Sequence, residues 1–420
     1  EAMLLPQTHQ LAGQVDQELD WLAQQLGKEL LSGDDQRGGE LKRRITPEVR
    51  STPFWHELEL RLKRLGEQLQ ELVDGLGALD RAAAKLPDSV AQSVSGLLTD
   101  AGGIGARLTA TVQELSWFCN DDPESCRWLE AKQTSRGNQA TVCVAPLEVA
   151  ETIKSAVFDP IPTVVLTSAT LTVGGSFGYL RRRTGLDLLE PERLQELSLA
   201  SPFDYAEQAL IGIPRDLPDP TSYSFRQPLA YAVLRAVSIS QGGAFVLFTS
   251  FDLLRQTHAA LKPELERQGL TVLRQGEGGG RHQLLTRFRK EQHAVLFGTD
   301  SFWEGVDVKG DALRLVVIAR LPFQVPTEPI QQARAERIAS QGGDPFREMS
   351  VPQAVLKLRQ GFGRLIRSRT DRGAVLILDS RMVTKNYGSR FRKSLPQEAQ
   401  LVASLEEVFS GMEVFYESWH

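Results

Sequence analysis

Cysteine is scarce in this sequence of 420 residues, which has only Cys119, Cys126 and Cys143. Their spacing is uneven and contains no CxxC pair, so they cannot supply four thiolate ligands to a metal. Long apolar runs are missing too, and none approaches the ~18 residues that a membrane span requires. We therefore expect reduced cysteines, no metal site, no membrane partner and a cytoplasmic location.

Two further features are absent. No GxxxxGK[ST] loop occurs in the sequence, so no loop of that type cradles the phosphates of a nucleotide. The chain opens at Glu1-Ala2-Met3, without an initiator methionine and without a signal-peptide pattern. We expect a piece of a longer protein.

Charge is present in ordinary amounts but is unevenly placed. The net charge is −5, with 24% charged and 41% apolar residues, which is typical of two or three globular domains with buried cores. A basic segment nevertheless stands out: Arg364, Arg367, Arg369, Arg372, Arg381, Lys385, Arg390, Arg392 and Lys393. This segment is either a face that binds a phosphate backbone or a solvated charged surface, and composition leaves both open.

The two parts of the chain differ in their apolar pattern. Residues 1–140 have helical periodicity, and the leucines from 62 to 76 keep a 3-4-3-4 spacing that predicts one helix packed on others. Beyond residue 140, short apolar bursts alternate with longer amphipathic segments, which predicts a parallel α/β sheet covered by helices on both faces. The predicted strands are residues 163–166, 244–248, 294–297, 313–318 and 374–378.

Hydroxyl side chains follow two of these strands. Ser168 and Thr170, with Ala169 between them, follow the first strand, and Thr249 and Ser250 follow the second. Ligands of parallel sheets bind in the loops at the carboxyl ends of strands, so these positions are candidates for binding. The alternative is that each is an ordinary strand exit.

The loop at residues 298–307 adds aromatic and acidic side chains to the hydroxyls. Its candidate residues are Thr299, Trp303, Glu304, Gly305 and Asp307. A hydroxyl can bind a nucleic-acid backbone, an aromatic ring can stack on a base, and a carboxylate can orient the hydroxyls of a nucleotide or a bound water. The alternative is a turn with one buried aromatic residue.

The segment of residues 360–367, with Gln360, Gly363, Arg364 and Arg367, ends a predicted amphipathic helix. Two arginines three apart project from neighbouring faces of one turn, and Gly363 leaves room beside them. Two fixed guanidinium groups suit the charge on a transferring γ-phosphoryl group. The alternative is that they complement the helix dipole.

Together, these loops resemble the ordered motifs of superfamily 2 helicases of the DinG/XPD-like branch (DinG/YoaA type). The resemblance covers most of residues 140–395. The matching segments are residues 166–171 (motif III), 201–204 (opening of the second lobe), 246–250 (motif IV), 298–307 (motif V) and 360–367 (motif VI).

The resemblance implies two RecA-like lobes with ATP between them, and single-stranded DNA as the partner across their top. Residues 1–140 are expected to be a helical arch-like insertion, 141–192 the returning strands of the first lobe, and 193–420 the second lobe. The implied activity is that of an ATP-dependent 5′-to-3′ DNA helicase with ATP and Mg²⁺ as cofactors. An iron–sulfur cluster, where the family has one, belongs upstream of this chain.

The resemblance also implies roles for single residues. Arg364 and Arg367 are expected to be arginine fingers, and Gln360 to sense the γ-phosphate. The remaining expected roles are nucleotide binding by Glu304, Gly305, Asp307 and Gly363, DNA binding by Thr249, Ser250, Thr299 and Trp303, and coupling through Ser168, Ala169 and Thr170.

The start of the chain departs from the family pattern. Glu1-Ala2-Met3 aligns with the Asp-Glu-Ala-His motif, which makes Glu1 the acid that activates water and puts Met3 in place of the histidine. We expect this chain alone to be inactive as an ATPase and to need the missing part of the first motor lobe as a partner. The alternative is a non-catalytic module that binds single-stranded nucleic acid or another protein.

Overall fold

The computed structural model describes residues 4–31, 41–85, 87–134, 137–291, 293–299, 302, 308, 310–325 and 327–419. The chain forms two compact units. Unit 1 comprises Glu1–Glu148 and Pro326–Ser340, and unit 2 comprises Val149–Val325 and Gln341–His420. Within the described ranges, no helix has the length and apolar character needed to span a membrane.

Unit 1 is built mainly of helices, as predicted. Its helices are α1 (Leu4–Leu31), α2 (Pro47–Arg50), α3 (Pro53–Ala83), α4 (Asp88–Cys119) and, from its second segment, α11 (Pro329–Ser340). Helix α3 begins after Thr52, whose hydroxyl accepts a hydrogen bond from the Trp55 N–H at 3.3 Å. The predicted leucine stripe is buried from Leu58 to Leu69 and packs against α1 and α4.

Unit 1 also contains an antiparallel sheet that the periodicity did not reveal. Its strands are β1 (Leu41–Arg44), β2 (Ser125–Thr134) and β3 (Gly137–Pro146), in the order β1-β2-β3. Leu129 and Ala131 of β2 face the helices, with 0% and 1% of their surfaces exposed. Because Arg127 and Glu130 lie on the two faces of the same strand, the apolar alternation typical of a strand is obscured.

Unit 2 is organised around a seven-stranded sheet. Its strands are β4 (Ala209–Pro214), β5 (Ala244–Leu247), β6 (Thr271–Arg274), β7 (Ala294–Gly298), β8 (Leu315–Ile318), β9 (Gly373–Ile377) and β10 (Gln400–Ala403). The spatial order is β10-β4-β9-β8-β5-β7-β6, and all six pairings are parallel. The predicted parallel α/β fold is confirmed.

Helices cover both faces of this sheet. The helices of unit 2 are α5 (Ala150–Ile153), α6 (Gly178–Thr184), α7 (Tyr205–Gln208), α8 (Arg226–Ser240), α9 (Phe251–Arg267), α10 (Arg281–Lys290), α12 (Val351–Phe362), α13 (Arg381–Thr384), α14 (Gly388–Lys393) and α15 (Leu405–Glu417). Successive residues of a strand face opposite sides, so Phe245 and Leu247 join one core while Val246 and Phe248 join the other. Helices α10, α12 and α14 border the first core, and α8, α9 and α15 the second.

Four of the five predicted strands exist, with bounds close to those expected, and one prediction was wrong. Residues 163–166 are not a strand, and Val165 and Leu166 have 80% and 45% of their surfaces exposed. A short apolar segment forms a stable strand only when neighbouring strands satisfy its backbone groups. None of the described strands pairs with this segment, so it remains irregular.

Candidate functional site

The candidate residues of unit 2 lie at two opposite ends of the parallel strands of its sheet. At one edge the Phe248 N–H donates to the Gly298 carbonyl oxygen at 2.9 Å, and the Leu378 N–H donates to that of Ile318 at 2.9 Å. We call this the carboxyl edge; it carries residues 248–250, 275, 298–299, 319–321 and 378–381. The opposite, amino edge carries residues 243, 293, 314 and 363–373.

The two candidate arginines lie at the amino edge, in a loop rather than on a helix. Helix α12 ends at Phe362, so the expectation that Arg364 and Arg367 project from one helical turn was wrong. Leu365 and Ile366, between them, are only 3% and 4% exposed, and Leu365 contacts Gly373 at the start of β9. Burial of these two side chains against the sheet fixes the loop and explains why the helix stops.

A buried carboxylate holds this loop. Asp371, 8% exposed, accepts hydrogen bonds through Oδ2 from the N–H groups of Arg367 at 2.9 Å and Ser368 at 2.8 Å. The Gln208 side-chain amide donates to the carbonyl oxygens of Asp371 at 2.8 Å and Ser368 at 2.9 Å. Burial lowers the pKa of the Arg367 guanidinium, with Asp371 opposing this effect, and an arginine stays charged at neutral pH despite such a shift.

Gln360 and Gly363 lie beside the arginine loop. Gln360 is half-buried in the last turn of α12, and Gly363 is the exposed residue that follows the helix. Gly363 has a φ of −63°, so its backbone needs no special freedom, but a Cβ there would lie 3.3 Å from the Arg359 carbonyl oxygen. The structure thus brings Gln360, Gly363, Arg364 and Arg367 together, while their roles stay predictions.

Arg359 is a candidate that sequence reasoning missed. Its Nη1 donates to the Thr172 carbonyl oxygen at 2.8 Å and lies 3.0 Å from the Thr172 hydroxyl, and its Nη2 donates to the Ala169 carbonyl oxygen at 2.7 Å. Burial lowers the pKa of this guanidinium, with Tyr205 opposing. The partners lie nearly two hundred positions away in the chain, so no local pattern could reveal the contact.

The segment that Arg359 holds includes the candidate coupling residues. Ser168 and Ala169 are exposed, and Thr170 is half-buried. The Ser168 hydroxyl accepts from the Thr170 N–H at 3.1 Å and lies 3.1 Å from the Thr170 hydroxyl, so the segment forms a serine turn. The candidate motif III segment therefore contacts the end of α12, next to Gln360.

At the carboxyl edge, the hydroxyl residues are brought together as expected. Thr249 and Ser250 follow β5, and Thr299 follows the adjacent β7. Ser250 also caps α9, since its hydroxyl accepts from the Leu253 N–H at 3.4 Å. The unpredicted Gln275, at the end of β6, accepts through Oε1 from the N–H of Thr299 at 2.7 Å and from its hydroxyl at 2.9 Å.

Several candidates lie outside the described residues. They are Glu1, Trp303, Glu304, Gly305 and Asp307. Phe302, in the same loop, is described: its side chain is 1% exposed and contacts Gly298. One aromatic of the loop is therefore structural, which agrees with the alternative of a turn with a buried ring, while the other positions stay predictions.

The basic segment does not form a single face. Arg364, Arg367, Arg369 and Arg372 precede β9 and lie at the amino edge, whereas residues 381–393 follow β9 at the opposite edge. Arg381 is tied to the fully buried Asp379, with Nη2 to Oδ2 at 2.6 Å. Each edge of the sheet thus has its own set of cations.

In the part of the chain that the structure describes, we find no group of three or more histidine, cysteine, aspartate or glutamate side chains that could hold a metal ion. The candidate side chains of unit 2 that the structure describes present guanidinium, amide and hydroxyl groups. These groups bind phosphate and nucleic-acid backbones through hydrogen bonds.

Comparisons with known proteins agree with these features. Residues 233–398 match the family model of the helicase C-terminal domain. The chain is 38% identical over 351 residues to the ATP-dependent DNA helicase YoaA of Haemophilus influenzae, covering 82% of this chain and 51% of that protein. It is 39% identical over 290 residues to the 3′-5′ exonuclease DinG of Bacillus subtilis, covering 68% of this chain and 31% of that protein.

The solved structure of S. tokodaii Xpd4 is 14% identical, with a TM-score of 0.49, and the match covers 96% of this chain and 74% of that one. The chain spans about half the length of the YoaA relative and about a third of the DinG relative.

Proposed function

Because this chain is a DinG/XPD-like superfamily 2 helicase sequence that carries the helicase C-terminal domain, we propose that residues 193–420, which contain the seven-stranded sheet of unit 2, are the second RecA-like motor lobe of an ATP-dependent DNA helicase. ATP and Mg²⁺ bind between this lobe and a first lobe, and hydrolysis drives 5′-to-3′ movement on single-stranded DNA. The helices of residues 1–140 serve as an arch-like insertion, and residues 141–192 belong with the first lobe.

The observation that carries this proposal is the immobilised arginine loop at the amino edge. Asp371 and Gln208 hold its backbone, and Leu365 and Ile366 anchor it in the core. A transferring phosphoryl group spreads negative charge over its oxygens, and guanidinium groups that are already fixed stabilise this charge without reorganisation. Arg364 and Arg367 act as the arginine fingers.

The DNA-side residues lie at the other edge of the same sheet. Thr249, Ser250 and Thr299 present hydroxyl groups at adjacent strand ends, where they contact the phosphate backbone of a single strand. Strand β9 has five residues, so the two edges are separated by roughly 16 Å at about 3.3 Å per residue. Nucleotide and DNA therefore bind to one rigid body without competing for the same residues.

Arg359 couples the candidate motif III segment to this lobe. Its hydrogen bonds to Ala169 and Thr172 place that segment beside Gln360. A change in the arginine loop on hydrolysis is then transmitted directly to residues 168–172. We assign Arg359 a positioning role, since it acts through its neighbours rather than on the nucleotide.

The test is to mix this chain with a separately expressed first lobe that carries the GxxxxGK[ST] loop, and to measure ATP hydrolysis with and without single-stranded DNA. We expect no hydrolysis by this chain alone and DNA-stimulated hydrolysis by the mixture. The first lobe with its loop lysine replaced by alanine is the control, and it should give no activity in the mixture.

The lack of a phosphate-binding loop in these 420 residues favours a second candidate, a non-catalytic module that binds single-stranded nucleic acid. It predicts salt-dependent binding of single strands, because Lys and Arg release counterions from phosphates. It also predicts that the mixture with an active first lobe shows no DNA-stimulated hydrolysis, which separates it from the motor-lobe proposal.

A further inference from the structure

Four aromatic rings of unit 2 form one continuous cluster, which we call the aromatic stack: Phe323, Phe346, Tyr387 and Phe391. Phe323 and Phe346 are stacked, with centroids 5.5 Å apart and an interplanar angle of 23°. Tyr387 meets the Phe346 ring edge-on at 5.1 Å, and Phe391 meets the Phe323 ring edge-on at 5.7 Å. These geometries are the favourable ones for ring pairs, so each ring packs on a neighbour in a preferred orientation.

The aromatic stack lies at the carboxyl edge of the sheet. Phe323 follows β8, and its N–H donates to the Leu321 carbonyl oxygen at 2.8 Å. The Leu321 N–H in turn donates to Asp379 at the end of β9, at 2.7 Å. The Arg381 guanidinium, held by Asp379, lies 5.4 Å from the centre of the Phe323 ring. The stack is therefore on the same edge as Thr249, Ser250 and Thr299.

The rings of the stack differ in exposure. Phe391 is fully buried, Phe323 and Tyr387 are half-buried, and Phe346 has 41% of its surface exposed. Phe323 covers one face of the Phe346 ring, so the exposed part of this ring lies on the side away from the core. An exposed ring with a fixed orientation loses little conformational freedom when a flat partner binds it.

One arginine, Arg390, contacts the segment that carries the exposed ring. The Arg390 Nη1 donates to the carbonyl oxygen of Arg347, the residue after Phe346, at 3.2 Å. Within the described residues, no carboxylate lies at ion-pair distance from the exposed Arg390. The nearby acids are engaged: Asp344 pairs with Arg347 at 3.3 Å, and Glu348 accepts from the Asp344 N–H at 2.8 Å.

We propose that Phe346 is a base-stacking platform for single-stranded DNA, with Arg390 binding an adjacent phosphate. A flat ring stacks on the face of any base, and a neighbouring guanidinium binds the backbone, which is the combination that single-strand binding requires. The inference rests on the proposed function, in which the carboxyl edge carries the DNA. It adds a base contact to an edge whose other candidates are hydroxyls.

The experiment measures the affinity of the full chain for two fluorescent oligomers of equal length, one of deoxythymidine and one that is abasic, by anisotropy. The variants are Phe346→Ala, Phe346→Leu, which keeps apolar packing on Phe323, Phe346→Trp, which keeps a flat ring, and Arg390→Ala. The control is Tyr231→Ala, which removes an aromatic side chain of similar exposure (44%) on α8.

Phe346→Ala and Phe346→Leu should each weaken binding of the thymidine oligomer by about 5- to 150-fold, the range for loss of one base–aromatic stack. Binding of the abasic oligomer should not change, and Phe346→Trp should bind both like the wild type. Arg390→Ala should weaken the binding of both oligomers equally. It should also reduce the slope of log affinity against log salt concentration by about one. Tyr231→Ala should have no effect.

Two results would overturn the stacking role: thymidine affinity that is unchanged in both Phe346→Ala and Phe346→Leu, or an equal loss for the thymidine and abasic oligomers. A wild-type chain that binds neither oligomer would instead contradict the proposed function itself. Thermal unfolding of each variant identifies any that has lost its fold, and the leucine variant then decides the outcome.

Discussion

The Arg359 guanidinium donates to the Ala169 carbonyl oxygen at 2.7 Å, joining two residues 190 positions apart. The contact ties an exposed, irregular segment to the last turn of a buried helix of unit 2. Since Arg359 directly precedes Gln360, the segment of residues 168–172 is held against the start of the candidate phosphate-sensing loop.

Arg359→Ala should free residues 169–176 from the helix. The Val173 N–H donates to the Ser176 carbonyl oxygen at 2.9 Å, and its hydrogen exchange reports whether the segment is held. Because hydrogen bonds to a charged group contribute about 1.5–3 kcal/mol, exchange at Val173 should accelerate by about 10- to 150-fold. Arg255→Ala removes only an exposed ion pair with Asp252 and should leave this exchange unchanged. Unchanged exchange in Arg359→Ala would refute the tie.

Asp371→Ala should destabilise unit 2 by about 1–3 kcal/mol, because two partly buried N–H groups lose their acceptor. Asp371→Asn keeps one acceptor oxygen and should therefore lose less stability than Asp371→Ala. Urea unfolding followed by circular dichroism measures the change, and Asp252→Ala, which removes an exposed carboxylate, is the matched control. If Asp371→Ala and Asp252→Ala unfold at the same urea concentration, the carboxylate does not hold the loop.

We expect His258 to make the stability of unit 2 depend on pH. It is 6% exposed, its ring lies 5.4 Å from that of Phe297, and its Nε2 has no hydrogen-bond partner among the described residues. Burial lowers the pKa of this imidazole, and the nearby Arg274 adds to the shift. The unfolded chain, with a histidine pKa of about 6.5, therefore binds the proton more readily than the folded chain.

The stability due to neutral His258 is fully present above about pH 6.5 and is lost as the pH falls from there through the folded pKa. The urea midpoint of the wild type should decrease between pH 7.5 and pH 5.5, and His258→Leu should reduce this decrease. His282→Gln changes an exposed histidine and should retain the wild-type slope. An identical slope in His258→Leu would show that other groups cause the pH dependence.

The strands of unit 2 could be predicted from the sequence more accurately than the contacts between residues that are distant in the chain. Strands such as β5 and β8 were predictable because both of their faces are buried, which produces a continuous apolar run. Residues 163–166 are similarly apolar, but whether such a run becomes a strand depends on neighbouring strands that periodicity does not show. The short strands β6 and β10, each half-exposed and partly polar, gave no comparable signal.

The candidate site was predicted in part for a similar reason. Gln360, Arg364 and Arg367 could be named as candidates because they lie within one short motif, and the structure keeps them in one place. Arg359, Asp371 and Gln275 act on backbone or side-chain groups that only the fold brings near them. The sequence placed the end of α12 too far along the chain. Leu365 and Ile366 continue the apolar spacing of the helix, but they lie in the loop after it and bury their side chains in the core.

The central claim is that the amino edge acts on the nucleotide and the carboxyl edge on DNA. The most direct test compares Arg364→Ala and Arg367→Ala with Arg369→Ala, an exposed arginine of the same loop, in the mixture with an active first lobe. DNA-stimulated kcat and the Kd for single-stranded DNA are measured for each variant. Removing an arginine finger should lower kcat by about 10³-fold or more while leaving the Kd nearly unchanged, and Arg369→Ala should change neither. Equal losses in kcat and DNA affinity, or an unchanged kcat, would contradict the account.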